Sequence, residues 1–229
     1  MEISLKALIF APAYDTDGKH DAQGAFIPES KAFASLHGLD SPILFDNNQP
    51  LVIRKKRVLE RIIKEKPNSV STLALVCHGW RDGVQLGFHS GETRELATAL
   101  KQVCTKDLTV ILYCCDTGRD GDADSADDIQ PGPGGGGGFA DALRCALDWA
   151  GFHAVVYAHA STGDTVRNPY VRAFRTGETG GAPFLIEPGS TLWGQWRKSL
   201  QDGTLRYRFP FMTREAVVAE LAATKAGVA

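Results

Sequence analysis

Two segments constrain this chain more than any others. The cores of Ser71–Cys77 (STLALVC) and Leu108–Cys114 (LTVILYC) read LALVC and VILYC, apolar at every consecutive position. A strand with one wet face alternates polar and apolar residues, so strands like these must be covered on both faces. Between them Glu92–Val103 carries apolar residues at helical spacing. The alternation continues on either side. Leu5–Phe10 reads as a strand, Ile27–Leu36 as a helix, Ser41–Phe45 as a strand and Pro50–Lys66 as a helix with Pro near its start. Further on, Phe139–Ala150 reads as a helix ended by Gly151, and His153–Ala160 as a strand. This order predicts an α/β fold, with a mostly parallel central sheet and helices on both faces.

The remaining segments refine that picture. Asp82-Gly83, in RDGVQLGF, signals a tight hairpin turn. Asp116–Gly138 is too rich in Asp and Gly to hold regular structure, and is expected to be a flexible acidic, glycine-rich loop. Near the far end APFLIEPG suggests another strand, and Thr213–Lys225 a helix capped by Thr213. No internal repeat is visible. A length of 229 residues favours a single domain over 1–229.

Composition narrows the partners. The net charge of −2 supplies no electrostatic reason to expect nucleic acid or a membrane surface. The basic stretch IRKKRVLERIIKEK mixes acids among its cations and reads as a solvated helix face. No run approaches the roughly 18 apolar residues of a membrane helix. MEISLKALIFAPA, with Glu2 before Lys6 and a short apolar core, reads as a first strand rather than a signal peptide. Five cysteines, 77, 104, 114, 115 and 145, are odd in number and lack framework spacing. Free thiols in a reducing, cytoplasmic setting are the expectation.

In a parallel sheet the working residues lie on loops past the carboxyl ends of the strands. Past the two best strands come His78-Gly79-Trp80 and Cys115-Asp116-Thr117-Gly118, on the same edge. A thiol with a pKa of about 8.5 is only a few per cent thiolate at neutral pH, so it needs a base in hydrogen-bond reach. An imidazole can take that proton and return it to a leaving amine. Gly79 would allow close approach of backbone, and amides there and at the nucleophile would stabilise an oxyanion. Cys114 and Cys115 both remain candidates at this point.

A hydrophobic strand ending in His-Gly, a helix, then a hydrophobic strand ending in Cys and a Thr-Gly resembles the caspase-like, clan CD cysteine peptidases. That group includes caspases, metacaspases, legumain, gingipains, clostripain, separase and bacterial CHAT domains. LALVCHGW carries the first block and VILYCCDTG the second, with CDTG most like the CETG of CHAT-type members. Strand and helix order fits from Leu5 to about Ala160, roughly two-thirds of the chain. The resemblance implies a caspase-like fold and endopeptidase activity on protein or peptide substrates, with no organic cofactor. It implies His78 as general base and acid, Cys115 as nucleophile, and the amides of Gly79 and Cys115 as oxyanion hole. Cys114 would take the small-residue position before the nucleophile. Tyr113 and Cys114 depart from the smaller or polar residues of many relatives.

Substrate choice is left open. The segment STGDTVRNP borders the specificity pocket in the implied fold, where Asp164 would favour a basic side chain and Arg167 an acidic one. Asp116, beside the thiol, leans towards basic. Asp120, Asp122, Asp124, Asp127 and Asp128 offer carboxylates for calcium, without the Gly and closing Glu of an EF-hand. His159 lies near the same edge and reads as a structural histidine. Three other readings compete. LVCHGW also resembles the oxyanion segment of α/β-hydrolases, implying an esterase or lactone hydrolase, but glycines are missing two residues before and after Cys115. Zinc on Cys77, His78, Cys114 and Cys115 lacks metal-ligand spacing. An inactive peptidase-like binding module is the third.

Overall fold

The computed structural model describes residues 5–14, 26–36, 39, 41–120, 131–161 and 170–185. In chain order the elements are β1 (Lys6–Pro12), α1 (Phe26–Leu36), β2 (Ile43–Phe45), α2 (Leu51–Ile62) and β3 (Val70–Val76). Three short strands follow, β4 (Gly79–Trp80), β5 (Gly83–Val84) and β6 (Phe88–His89). Then come α3 (Thr93–Lys101), β7 (Cys104–Tyr113), α4 (Phe139–Trp149), β8 (His153–Ala158), β9 (Tyr170–Arg175) and β10 (Gly181–Leu185). The protein is α/β, with a mostly parallel central sheet of seven strands in the order β10-β9-β8-β7-β3-β1-β2. From β2 to β8 neighbours run parallel, whereas β9 and β10 are antiparallel additions.

Chirality sorts the helices. The chain steps from β1 outward to β2, then crosses back over β1 to β3 and continues through β7 to β8. Right-handed crossovers in those two directions place α1 on one face and α2, α3 and α4 on the other. The core divides accordingly. Phe33 and Ala34 of α1 pack with Ala7, Ile9, Ala74, Val76, Ile111 and Tyr113. Val58 and Ile62 of α2, Leu96 and Leu100 of α3, and Leu143 and Leu147 of α4 pack with the intervening strand residues. Alternate positions of β3 and β7 thus serve two separate cores, which is why both read as unbroken apolar runs. Winding reverses between β1 and β3, the place where such sheets open a crevice at their carboxyl edge.

Several elements differ from the sequence reading. The hairpin turn is Arg81-Asp82, with Trp80 opposite Gly83, rather than Asp82-Gly83. Neither turn residue has positive φ, so Gly83 is not there for turn conformation. A Cβ on it would lie 2.6 Å from the Phe88 carbonyl oxygen, so close approach of β6 is what demands glycine. The helix α2 stops at Ile62, short of Lys66. Pro67 disfavours helical backbone before it, and Asn68 at φ 56 completes the turn into β3. β7 begins at Cys104 rather than Leu108. β9 has no counterpart in the sequence reading, because Arg172 interrupts its apolar pattern. Thr213–Lys225, Trp193 and Trp196 lie outside the described residues. Among the basic residues of α2, Lys55 pairs with Glu92 and Glu95 and Arg61 with Glu65.

Phe174 on β9 is fully buried against the α4 side of the sheet. Replacing it with Ala is expected to cost about 3–5 kcal/mol in urea unfolding, as for other buried aromatics. A loss under about 1 kcal/mol would mean that β9 does not belong to the main core.

Candidate active site

In the parallel register of β3 and β7, Val76 stands opposite Tyr113. Those two side chains belong to the α1-side core. One residue further, Cys77 and Cys114 turn to the other face, both buried, their sulfurs 3.7 Å apart. The Cys114 thiol also donates to the Leu75 carbonyl at 3.3 Å. His78 and Cys115 follow just beyond the last residues of β3 and β7. His78 lies on the α1 side, where its ring meets Phe26 of α1 edge to face at a centroid distance of 4.7 Å and 84°. His78 and Cys115 are both half-buried.

Glycine brings the two strand ends into contact. A Cβ on Gly79 would lie 2.6 Å from Cys114 Cβ, 2.7 Å from the Cys115 carbonyl oxygen and 2.9 Å from Thr117 Cγ2. Any side chain there would push the histidine segment off the thiol turn. The amide of Gly79 has a definite direction too. Gln85 N–H donates to the His78 carbonyl at 2.9 Å, while Gly79 sits opposite Val84. That makes Gly79 and Val84 the non-hydrogen-bonded pair of the ladder, so the Gly79 N–H points away from β5.

Backbone hydrogen bonds fix the thiol turn on three sides. Asp116, at φ 58, takes a left-handed conformation that Asp tolerates better than most residues. Arg119 N–H donates to the Asp116 carbonyl at 3.0 Å, and Thr117 Oγ1 donates to the Cys114 carbonyl at 3.2 Å. Past β8, Ser161 and His159 offer carbonyls to the amides of Asp116 (3.2 Å) and Gly118 (2.7 Å). The first turn of α4 supplies the third side. Its N–H groups, which have no acceptor within the helix, donate from Phe139 to the Arg81 carbonyl (2.7 Å) and from Ala140 to the Thr117 carbonyl (3.0 Å). One helix terminus thereby holds both the hairpin after His78 and the turn after Cys115.

Burial separates the thiols chemically. It pushes the Cys114 thiol well above its ordinary pKa, with the Cys77 contact adding to the effect. It pushes Cys104 up to about 12. Such thiols stay protonated at neutral pH. Burial likewise raises the Asp116 carboxyl, against a smaller opposing pull from Arg119. Tyr113 does not line an opening, being buried with its ring 5.7 Å from Phe33.

The structure thus brings His78, Gly79, Cys115 and Asp116 to one edge. Asp164 and Arg167 lie outside the described residues, as do Asp122, Asp124, Asp127 and Asp128 of the calcium reading. Among the described residues no group of three or more His, Cys, Asp or Glu is arranged to hold a metal. No described helix is long and apolar enough to cross a membrane. Two residues at this edge escaped the sequence reading. Phe26 fell one residue before the helix expected over Ile27–Leu36, and the only signal for Arg172 was a cation inside YVRAF. Comparison with protein-family models, curated proteins and solved structures finds no match.

Two outcomes are expected. Iodoacetamide on native protein, mapped by peptide mass spectrometry, should modify Cys115 and exposed Cys145, whereas Cys77, Cys104 and Cys114 should need denaturant. Modification of Cys114 ahead of Cys115 would reverse the assignment. Asp116→Asn keeps a residue tolerant of left-handed backbone and removes the charge. The raised carboxyl pKa favours the folded state only below its unfolded value, an advantage lost as pH rises through the folded value. Asn should therefore raise Tm relative to wild type at about pH 7 but not at about pH 4. The opposite ranking would mean that the carboxylate is stabilised where it lies.

Proposed function

We propose that this protein is a caspase-like cysteine endopeptidase that cleaves peptide bonds through a His78–Cys115 dyad. The observation that supports it most is the fit of Gly79 onto Cys114, Cys115 and Thr117, which joins the histidine segment to the thiol turn. In the proposed cycle His78 takes the Cys115 proton and the sulfur attacks the substrate carbonyl carbon. The oxyanion accepts hydrogen bonds from the amides of Gly79 and Cys115. Collapse breaks the C–N bond, His78 protonates the departing amine, and a thioester is left on Cys115. His78 then deprotonates a water that hydrolyses the thioester, releasing the acid and restoring the thiol. This chemistry calls for no organic cofactor. Asp116 beside the sulfur leans the substrate preference towards a basic residue before the cut. Free thiols suit a reducing, cytoplasmic setting.

A fluorogenic peptide library varied at the residue before the cut tests the proposal. Cys115→Ala should abolish turnover, and His78→Ala should lower kcat/KM by about 10²–10⁴-fold. Gly79→Ala should lower kcat by about 10²-fold as its amide is displaced, with the thiol still alkylated. Turnover that survives Cys115→Ala would sink the dyad. Cleavage of aryl esters with no cleavage of any peptide would favour an esterase instead.

A further inference from the structure

We infer that Arg172 is a positioning residue for the thiol turn, its guanidinium clamping together both feet of the acidic loop that follows Cys115. The inference rests on the peptidase reading for its effect on turnover, but the clamp itself is read from geometry. Arg172 sits in the middle of β9 and is 2% exposed. A guanidinium cannot shed its charge, so one buried this completely is held by acceptors around it. Its Nε donates to the Gly132 carbonyl at 2.9 Å and its Nη1 to the Gly118 carbonyl at 2.9 Å. A single side chain therefore holds the chain as it enters the loop and as it leaves.

The third nitrogen extends the clamp. A Cβ on Gly134, at φ 154, would lie 3.1 Å from Arg172 Nη2 and closer still to Asp120 Oδ2. The guanidinium and the Asp120 carboxylate thus converge over a residue that has no side chain to part them. Gly134 also exchanges backbone hydrogen bonds with Gly181, at 3.0 and 2.6 Å, fastening the second foot to the start of β10. At the first foot the Gly118 peptide is gripped from both sides, its N–H by the His159 carbonyl and its C=O by Arg172. The Asp116–Arg119 hydrogen bond spans Gly118 and carries that restraint back to Cys115. The feet are closed on each other by side-chain hydrogen bonds, independently of chain continuity through 121–130.

Lysine would keep the charge but has one nitrogen in place of a planar fork, so it cannot serve Gly118 and Gly132 together. Gly134→Ala would wedge the clamp apart with Arg172 intact. The test compares wild type, Arg172→Lys and Gly134→Ala by peptide turnover, by the pH profile of Cys115 alkylation with iodoacetamide, and by Tm. Both variants should lose about 10–100-fold in kcat with KM little changed, the scale of a small misplacement of reacting groups. Both should also shift the alkylation profile. A chain with Arg172 and Gly134 unchanged, cut once at a protease site inserted within 121–130, should keep its alkylation profile because the feet stay clamped. Folded Arg172→Lys and Gly134→Ala with wild-type kcat and profile, or a profile lost on cutting the loop, would overturn the inference. Absence of turnover in every protein, wild type included, would defeat the peptidase reading while the alkylation profiles still decide the clamp.

Discussion

Everything at the candidate site depends on the parallel register of β3 against β7, with Val76 opposite Tyr113. Side chains on a strand alternate between faces, so the register fixes which residues meet on each. Val76 and Tyr113 face α1, Cys77 and Cys114 face the other helices, and the His78 ring rests on Phe26 of α1. A slip of one residue would take Val76 off Tyr113 and Cys77 off Cys114, mixing the two faces. The two cores resist that slip. Tyr113 is matched to Phe33 on one face, while the small thiols of Cys77 and Cys114 fit closely on the other.

Beyond the strands, the site is assembled mainly by backbone, and this accounts for the residue types in its motifs. The amides of Asp116, Gly118, Phe139 and Ala140 and the carbonyls of Arg81, Thr117, His159 and Ser161 are all engaged across different loops. Such dense pairing leaves little room for side chains, so glycine recurs where segments touch. A Cβ on Gly118 would lie 2.8 Å from the Ala158 carbonyl oxygen, just as one on Gly79 would strike the thiol turn. Thr117, fully buried, has its hydroxyl returned to the backbone of the same turn. His-Gly and Cys-Asp-Thr-Gly are then two halves of one packing solution.

Much of this was legible in the sequence, for a physical reason. β3 and β7 are covered on both faces, and burial on both faces leaves an apolar run that sequence displays directly. Cys115 could be preferred over Cys114 through family resemblance, and the structure adds what a chain alone lacks: parity along β7 puts Cys114 on a packed face. What escaped was information held in long-range partners. Arg172 makes β9 look like a loop until the carbonyls of Gly118 and Gly132 are seen to satisfy it. Asp82-Gly83 signalled a hairpin correctly but misplaced its turn, because Gly83 answers to the neighbouring β6 strand rather than to local backbone.

The same parity bears on the competing chemistries. A zinc centre on Cys77, His78, Cys114 and Cys115 would need four ligands converging on one point. Here Cys77 and Cys114 belong to the core beneath α2, α3 and α4, while His78 rests on Phe26 of α1. A nucleophile elbow would need a strained turn passing straight from strand to helix. Here the chain leaves β7 at Tyr113 and enters α4 only at Phe139, and the left-handed residue is Asp116, after the thiol. What the geometry does favour is a division between adjacent thiols. Cys114 is held protonated by burial against Cys77, and Cys115, the next residue, is left half-buried in the turn after β7.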